Sequence, residues 1–344
     1  MILYYNIHNI FKIKVVSTHR SFLEYIDREF SSFKTSKFSN PDLIVSMGDF
    51  KPDITGASIV NHKYFIKNNF LYCKDSYKVA KWKVQINGLD SKKTFIKIFG
   101  NRFSLFFIVS YIIEPMMRFK LNKKGYTFLH SSAISDGKNA ILFSACKGVG
   151  KTSTILNLIS RGFLYMSDDF TILSNKGVVF SYPTTIHMFG YNVKHCPFIY
   201  EKLSSKEKRK IRLNDLIFKL SFNYVSLPLY VNAKDMFSGG EIGSSYPLKE
   251  LIFFVKSNGR EIKIEKNYDK KKVIQQMISI NKMEMFNFLE YMLAYTSIFP
   301  ENDFTSHWYR LYENLMKALD KKPITKITIP KKFPKRIIDY VMPR

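Results

Sequence analysis

Acidic residues are scarce in this chain, and that scarcity sets its electrostatics. There are 28 Asp and Glu against 54 Lys and Arg, a formal net charge of +26 over 344 residues. No set of internal ion pairs neutralises such an excess, so the surface is positive and anionic partners are favoured. The charge does not choose among nucleic acid, acidic membrane and phosphorylated ligands, because an AT-rich coding bias toward Lys, Ile, Asn, Phe and Tyr produces the same excess. Cysteine is scarce too. Cys73, Cys146 and Cys196 are too few and too scattered for a disulfide framework, which fits a reducing cytoplasm, the expected location. Long apolar runs are missing: the most apolar stretch, 103–117, is broken by Glu114 and Pro115. A membrane-spanning helix needs about 20 such residues, so no span is expected. The first 17 residues lack the basic cluster, apolar run and small-residue cleavage site of a secretion signal. Internal repeats and low-complexity tracts are absent. What is present, 46% hydrophobic residues at this length, suffices for two cores and excludes a disordered chain.

Along the chain, residues 1–100 read as an N-terminal α+β domain. Trp82, Val84 and Ile86 alternate with Lys81, Lys83 and Gln85, and Ile96 and Ile98 with Phe95, Lys97 and Phe99, as in half-buried strands. Ser21 and Glu24 have capping-box spacing ahead of a helical stripe of Phe22, Tyr25, Ile26 and Phe30. Residues 101–125 read as a connecting buried helix, kinked near Pro115. From 126 to 268 short apolar runs alternate with glycine turns and helical segments, the pattern of an α/β domain. Strands are expected at 140–144, 163–166, 177–180 and 251–255, and a helix at 152–161. Residues 269–344 read as a C-terminal helical segment, with Val273, Met277 and Ile280 on one face and Trp308, Leu311 and Leu315 on another. The basic tail from Lys321 holds one strand at 324–329 and irregular structure.

The strongest local signal is Ser144-Ala145-Cys146-Lys147-Gly148-Val149-Gly150-Lys151-Thr152 between an expected strand and an expected helix. In G-x-x-x-x-G-K-[ST] the glycines let backbone N–H groups wrap phosphates, the lysine neutralises their charge and the hydroxyl ligates Mg2+. Gly148, Val149, Gly150, Lys151, Thr152 and Ser153 are therefore the candidate nucleotide-binding residues. Ala145 stands in place of the first glycine and is tolerated only at negative φ. Asp168 and Asp169 follow at the end of the next apolar run, where α/β folds place catalytic groups and metal ligands. His130 precedes the loop strand.

In order and spacing, His130, the strand and loop 141–152, Arg161-Gly162 and Asp168-Asp169 resemble the catalytic domain of the HPr kinase/phosphorylase family. The resemblance covers about 126–173. It implies a fold like that of phosphoenolpyruvate carboxykinase, and a phosphotransferase that uses ATP and Mg2+ to phosphorylate a hydroxyl. It further implies that Asp168 takes the proton of the attacking hydroxyl, that Asp169 and Thr152 hold Mg2+, and that His130 and Lys151 orient acid and phosphate. The family's Glu-Ile-Arg-Gly-Leu-Gly segment has no counterpart; Glu241-Ile242-Gly243 is the nearest string. The chain thus looks more like the divergent HPr-kinase-like proteins, some of which phosphorylate serine on precursor peptides of natural-product pathways. The expected partners are a nucleotide and a peptide or small protein, the acceptor being acidic or phosphate-bearing. The family's hexamers leave a homo-oligomer open. Two other readings remain: a nucleotide-binding regulatory protein without catalysis, and a small-molecule kinase. Nucleic acid is not favoured, since the 21 Tyr and 31 Phe interleave with Ile and Leu as core and no RNA-binding signature occurs. The basic run 206–212 reads as a solvated helical face. His187, His195 and Cys196 lack zinc-ligand spacing.

Overall fold

The computed structural model describes residues 1–222, 224–237, 242–334 and 337–341. The chain forms two units, 1–125 with 282–311, and 126–281 with 312–344. Each mixes helices and sheet, so the class is α/β as expected. The boundaries differ from those read in the sequence. Residues 101–125 belong to the first unit instead of connecting two, and 269–344 is shared between both units. Contacts between segments far apart in sequence decide such a division, and periodicity carries no information about them.

The first unit is built on one eight-stranded sheet. It contains β1 (Ile2–Ile7), β2 (Phe11–Ser17), α1 (Arg20–Phe30), β3 (Leu43–Met47), β4 (Ser58–Val60), β5 (Tyr64–Lys67), β6 (Phe70–Tyr77), β7 (Ala80–Asn87) and β8 (Thr94–Gly100). The strand order is β1-β2-β3-β8-β7-β6-β5-β4, with β3 parallel to both neighbours and the other pairs antiparallel. The expected alternation is present: Trp82, Val84, Ile86, Ile96 and Ile98 are buried while Lys81, Phe95, Lys97 and Phe99 are exposed. The expected capping box is not. His19 is the N-cap of α1 without a side-chain bond, and Glu24 pairs with Arg20 one turn earlier. The apolar segment after β8 forms α2 (Leu105–Ile108), a π-helical turn (Val109–Ile113) and α3 (Glu114–Lys123). Pro115 offers no N–H to the carbonyl one turn back and its ring crowds that carbonyl, which the wider turn accommodates.

The second unit opens with β9 (Tyr126–Ser135), β10 (Ala140–Ser144), α4 (Lys151–Ile159), β11 (Leu164–Ser167), β12 (Phe170–Ser174) and β13 (Val178–Phe180). Next come β14 (Thr185–Met188), α5 (Gly190–His195), α6 (Pro197–Lys202), α7 (Ser205–Leu220), β15 (Leu229–Asn232), α8 (Ala233–Met236), β16 (Ser245–Ser257) and β17 (Lys263–Glu265). The remaining elements are α9 (Lys270–Glu284), α10 (Phe286–Ile298), α11 (His307–Ala318), β18 (Ile324–Pro330) and α12 (Ile337–Val341), of which α10 lies in the first unit. α12 stands where irregular structure was expected. The main sheet runs β10-β9-β12-β13-β16-β18-β17, and a parallel pairing of β10 with β16 makes the first part a closed circuit. The basic run 206–212 lies on α7 with mostly solvated side chains, Ile211 being the buried exception.

Candidate phosphate-binding site

β10 runs parallel to β16, and its C-terminal end is the edge where such sheets present loop amides and a helix N-terminus to ligands. There the chain turns through 145–150 into α4, with Gly150 as N-cap. Gly148 and Gly150 have φ of 74 and 113°, which side chains rarely adopt. Gly150 has a second requirement, because the ring of Phe333 lies where its Cβ would stand. Ala145, by contrast, is not among the residues of positive φ, and it is fully buried, so the loop accommodates its methyl group.

The Lys151 ammonium is buried against its own loop. It donates to Ala145 O at 2.9 Å and Cys146 O at 3.4 Å, and lies 2.9 Å from His130 Nε2. An ammonium has only donors, so Nε2 must accept, which makes His130 a neutral ring with its proton on Nδ1. β9 supplies this histidine, opposite Phe170 of β12.

Asp168 and Asp169 form the tight turn between β11 and β12, closed by Phe170 N donating to Asp168 O at 2.8 Å. Asp169 has φ 64°, a left-handed conformation that aspartate tolerates better than most residues. This turn sends the two side chains to different surroundings. Asp168 is 4% exposed, and its Oδ1 accepts from Ser132 Oγ at 2.7 Å and Thr152 Oγ1 at 3.1 Å. Burial first, then the neighbouring Asp169 charge, pushes its pKa up to about 6. Asp169 stays on the cavity wall, with His187 Nδ1 3.7 Å from its carboxylate.

The cavity measures about 670 Å³, a size suited to a small-molecule ligand. His130, Lys147, the stretch 148–153 and Asp169 line one side; His187, Phe189, Tyr191, Asn192, His195, Lys256 and Phe333 line the other. The expected residues Gly148, Val149, Gly150, Lys151, Thr152, Ser153, His130 and Asp169 thus meet at one cavity. Asp168 is not on its wall but lies against Thr152. The Ser153 hydroxyl accepts from Asn192 Nδ2 at 3.0 Å, tying α4 to α5. Glu241 of the family-like string lies outside the described residues, and Gly243 N donates to Tyr165 O at 2.8 Å.

The second wall was missed in the sequence. His187 and His195 were considered only as metal ligands, and Cys196 is buried in the core. Among the described residues no group of three or more His, Cys, Asp or Glu could hold a metal ion. Lys256 had a signal, since it stands at the C-terminal end of a strand beside the loop strand; it donates to Gly148 O at 3.2 Å. Phe333 and Tyr191 had none, because only folding brings their segments to the loop.

The donor set suits Mg2+. A magnesium ion that arrives with phosphates asks for one or two carboxylates and keeps water or phosphate oxygens elsewhere. Thr152 Oγ1 and the two adjacent carboxylates offer such hard oxygens, so the residues fit.

No protein-family model matches the chain, and no curated protein matches it. Among solved structures it is similar to the Hpr(Ser) kinase/phosphatase from Coxiella burnetii, at 12% identity and a TM-score of 0.25, over 51% of this chain and 99% of that one. So loose a superposition does not extend to side chains, and the site is read from its own geometry. Among the described residues no helix is long and apolar enough to cross a membrane.

Proposed function

We propose that the second unit is the catalytic unit of a kinase that binds ATP with Mg2+ at 145–153 and passes the γ-phosphoryl group to a hydroxyl, a serine of a peptide or small protein. The observation that carries this reading is the meeting of a glycine-shaped loop, its lysine and the Asp169 carboxylate at one cavity, with Asp168 bonded to Thr152 of the same loop. Phosphoryl transfer asks little covalent chemistry of a protein; it asks for alignment and neutralised charge. Loop amides and the α4 N-terminus favour phosphate oxygens. Lys151 exchanges the carbonyls of Ala145 and Cys146 for those oxygens, and His130 holds the amine end in place meanwhile. As the acceptor oxygen bonds to phosphorus, the bond from phosphorus to the bridging oxygen breaks and the hydroxyl proton passes to a carboxylate. Asp169 suits that proton because it lines the cavity, and the bond from Thr152 to Asp168 supports a metal-holding role for that pair. These roles reverse those implied by the family resemblance. Mg2+, held by Thr152 and Asp168, would spread the charge that develops on the phosphate oxygens.

Calorimetric titration with a non-hydrolysable ATP analogue tests the reading. Binding that requires Mg2+ and vanishes in Lys151→Ala is expected; absence of binding to the unaltered protein removes it.

A further inference from the structure

We propose that the outward face of the first unit's sheet is a docking surface for an acidic stretch of polypeptide. Its eight strands carry the lysines Lys12, Lys14, Lys67, Lys74, Lys81, Lys83 and Lys97, and a single acidic residue, Asp75. Strand alternation separates them completely. Phe11, Ile13 and Val15 on β2, Trp82 and Val84 on β7 and Ile96 and Ile98 on β8 are buried on the inner face, which leaves every one of these lysines on the other. Asp75 faces inward, where it accepts from Tyr291 Oη at 2.9 Å. Helices cover the inner face: Tyr5 of β1 bonds Asp27 of α1, and Phe107 of α2 stacks on Trp82.

A lysine-rich proteome explains many lysines but not the absence of carboxylates among them. Lys67 and Lys83 borrow Asp53 and Asp49 from a loop, whereas Lys14, Lys74, Lys81 and Lys97 form no ion pair among the described residues. Lys74 and Lys83 are moreover directly opposite across β6 and β7. Like charges at that position destabilise a sheet, so folding gains nothing from the pair. Beside it lies a groove of about 620 Å³ whose lining includes Lys63, Lys74, Lys81, Lys83 and Phe99 against the single carboxylate of Asp75.

The spacing of this face suits extended polypeptide. Single-stranded nucleic acid needs open ring faces for its bases. Here the Lys83 ammonium sits over the rings of Phe50 and Phe99, at 4.8 and 5.3 Å from their centres, while Phe95 on the same face is 43% exposed. What an extended chain meets is lysines two apart on one strand, Lys12 with Lys14 and Lys81 with Lys83, about 7 Å between their Cα atoms, the repeat of same-face side chains along a strand. Identifying that chain with the phosphate acceptor rests on the kinase reading; docking does not.

The test is fluorescence anisotropy at physiological salt, without nucleotide, on the full chain. The probes are a labelled glutamate-rich peptide and a labelled oligothymidylate of matched charge. The variants are Lys74→Gln/Lys81→Gln/Lys97→Gln on the face and Lys206→Gln/Arg209→Gln/Lys210→Gln on the solvated side of α7, all exposed positions whose folding is checked by thermal melting. The peptide is expected to bind at least about tenfold more weakly to the face variant, with little change in the α7 variant. Equal loss in both variants would reduce the effect to net charge, and tighter binding of the oligonucleotide would make the face a nucleic-acid surface. Either result, or no peptide binding at all, overturns the proposal. Lys151→Ala separates the two readings, because peptide binding should survive in it while nucleotide binding does not.

Discussion

The sheets of the two units treat polar residues in opposite ways. In the first, strands sort their side chains by alternation, apolar inward and lysine outward, and Asp75 is the one strand carboxylate. In the second, β9 is buried along nearly its whole length although it carries Thr127, His130, Ser131, Ser132 and Ser135. Burying such groups costs stability unless each finds a partner: Thr127, Ser131 and Ser135 bond backbone carbonyls, whereas His130 meets Lys151 and Ser132 meets Asp168. The lesson is that each proposal rests on residues that depart from what folding alone favours. In one the departure is a polar interior, in the other a face of unbalanced charge.

Three changes break or sharpen that contrast. The largest effect is expected at the carboxylate pair. Asp169→Asn should lower kcat by about 10²–10⁴-fold with nucleotide affinity nearly unchanged, the range for loss of a proton acceptor, whereas Asp168→Asn should chiefly weaken Mg2+-dependent nucleotide binding. Steady-state kinetics and calorimetry on both variants decide this, and the opposite pattern restores the roles implied by the family resemblance.

The next effect concerns stability. Asp168 has a folded pKa of about 6, above the ordinary carboxylate value of 3.8, so the folded state prefers the proton. Its contribution to stability is therefore fully present below about pH 4 and is lost as pH rises through 6. Asp168→Asn keeps the acceptor oxygen but does not titrate. Its advantage in melting temperature over the unaltered protein should grow between pH 4 and 6 and stay level above 7. The gain there is on the order of 2–3 kcal/mol, or several degrees. A difference independent of pH would show that the buried carboxylate is not strained by its surroundings.

The smallest effect lies on the lysine face. Lys74→Thr removes one member of the cross-strand pair with Lys83 and should stabilise the first unit by a few tenths of a kcal/mol, read from urea melts at low salt. High salt should erase the gain. A loss of stability instead would mean that Lys74 serves packing and not a partner.

Much of the local structure was legible from residue order. Trp82, Val84 and Ile86 spelled a strand, and Gly148, Gly150, Lys151 and Thr152 spelled a glycine turn into a helix, because period two and left-handed glycine are properties of neighbouring residues. Ala145 met the condition of negative φ on which its tolerance depended. Other readings failed where distant chain intervened. Ser21 and Glu24 had capping-box spacing, but α1 begins before Ser21 and Glu24 pairs with Arg20. His187 and His195 had been weighed only as metal ligands, and β14 and α5 bring them to the cavity with Phe333.

The sequence by itself determined the excess of positive charge, the alternation of the first sheet and the conformation of the loop, all of which depend on composition or on contacts within a few residues. Only the tertiary structure decided which of two adjacent aspartates is buried. It also decided that the lysines of separate strands share one face, and that residues 282–311 return to the first unit. Burial and juxtaposition belong to surfaces assembled from remote segments, and neither has a signature along the chain.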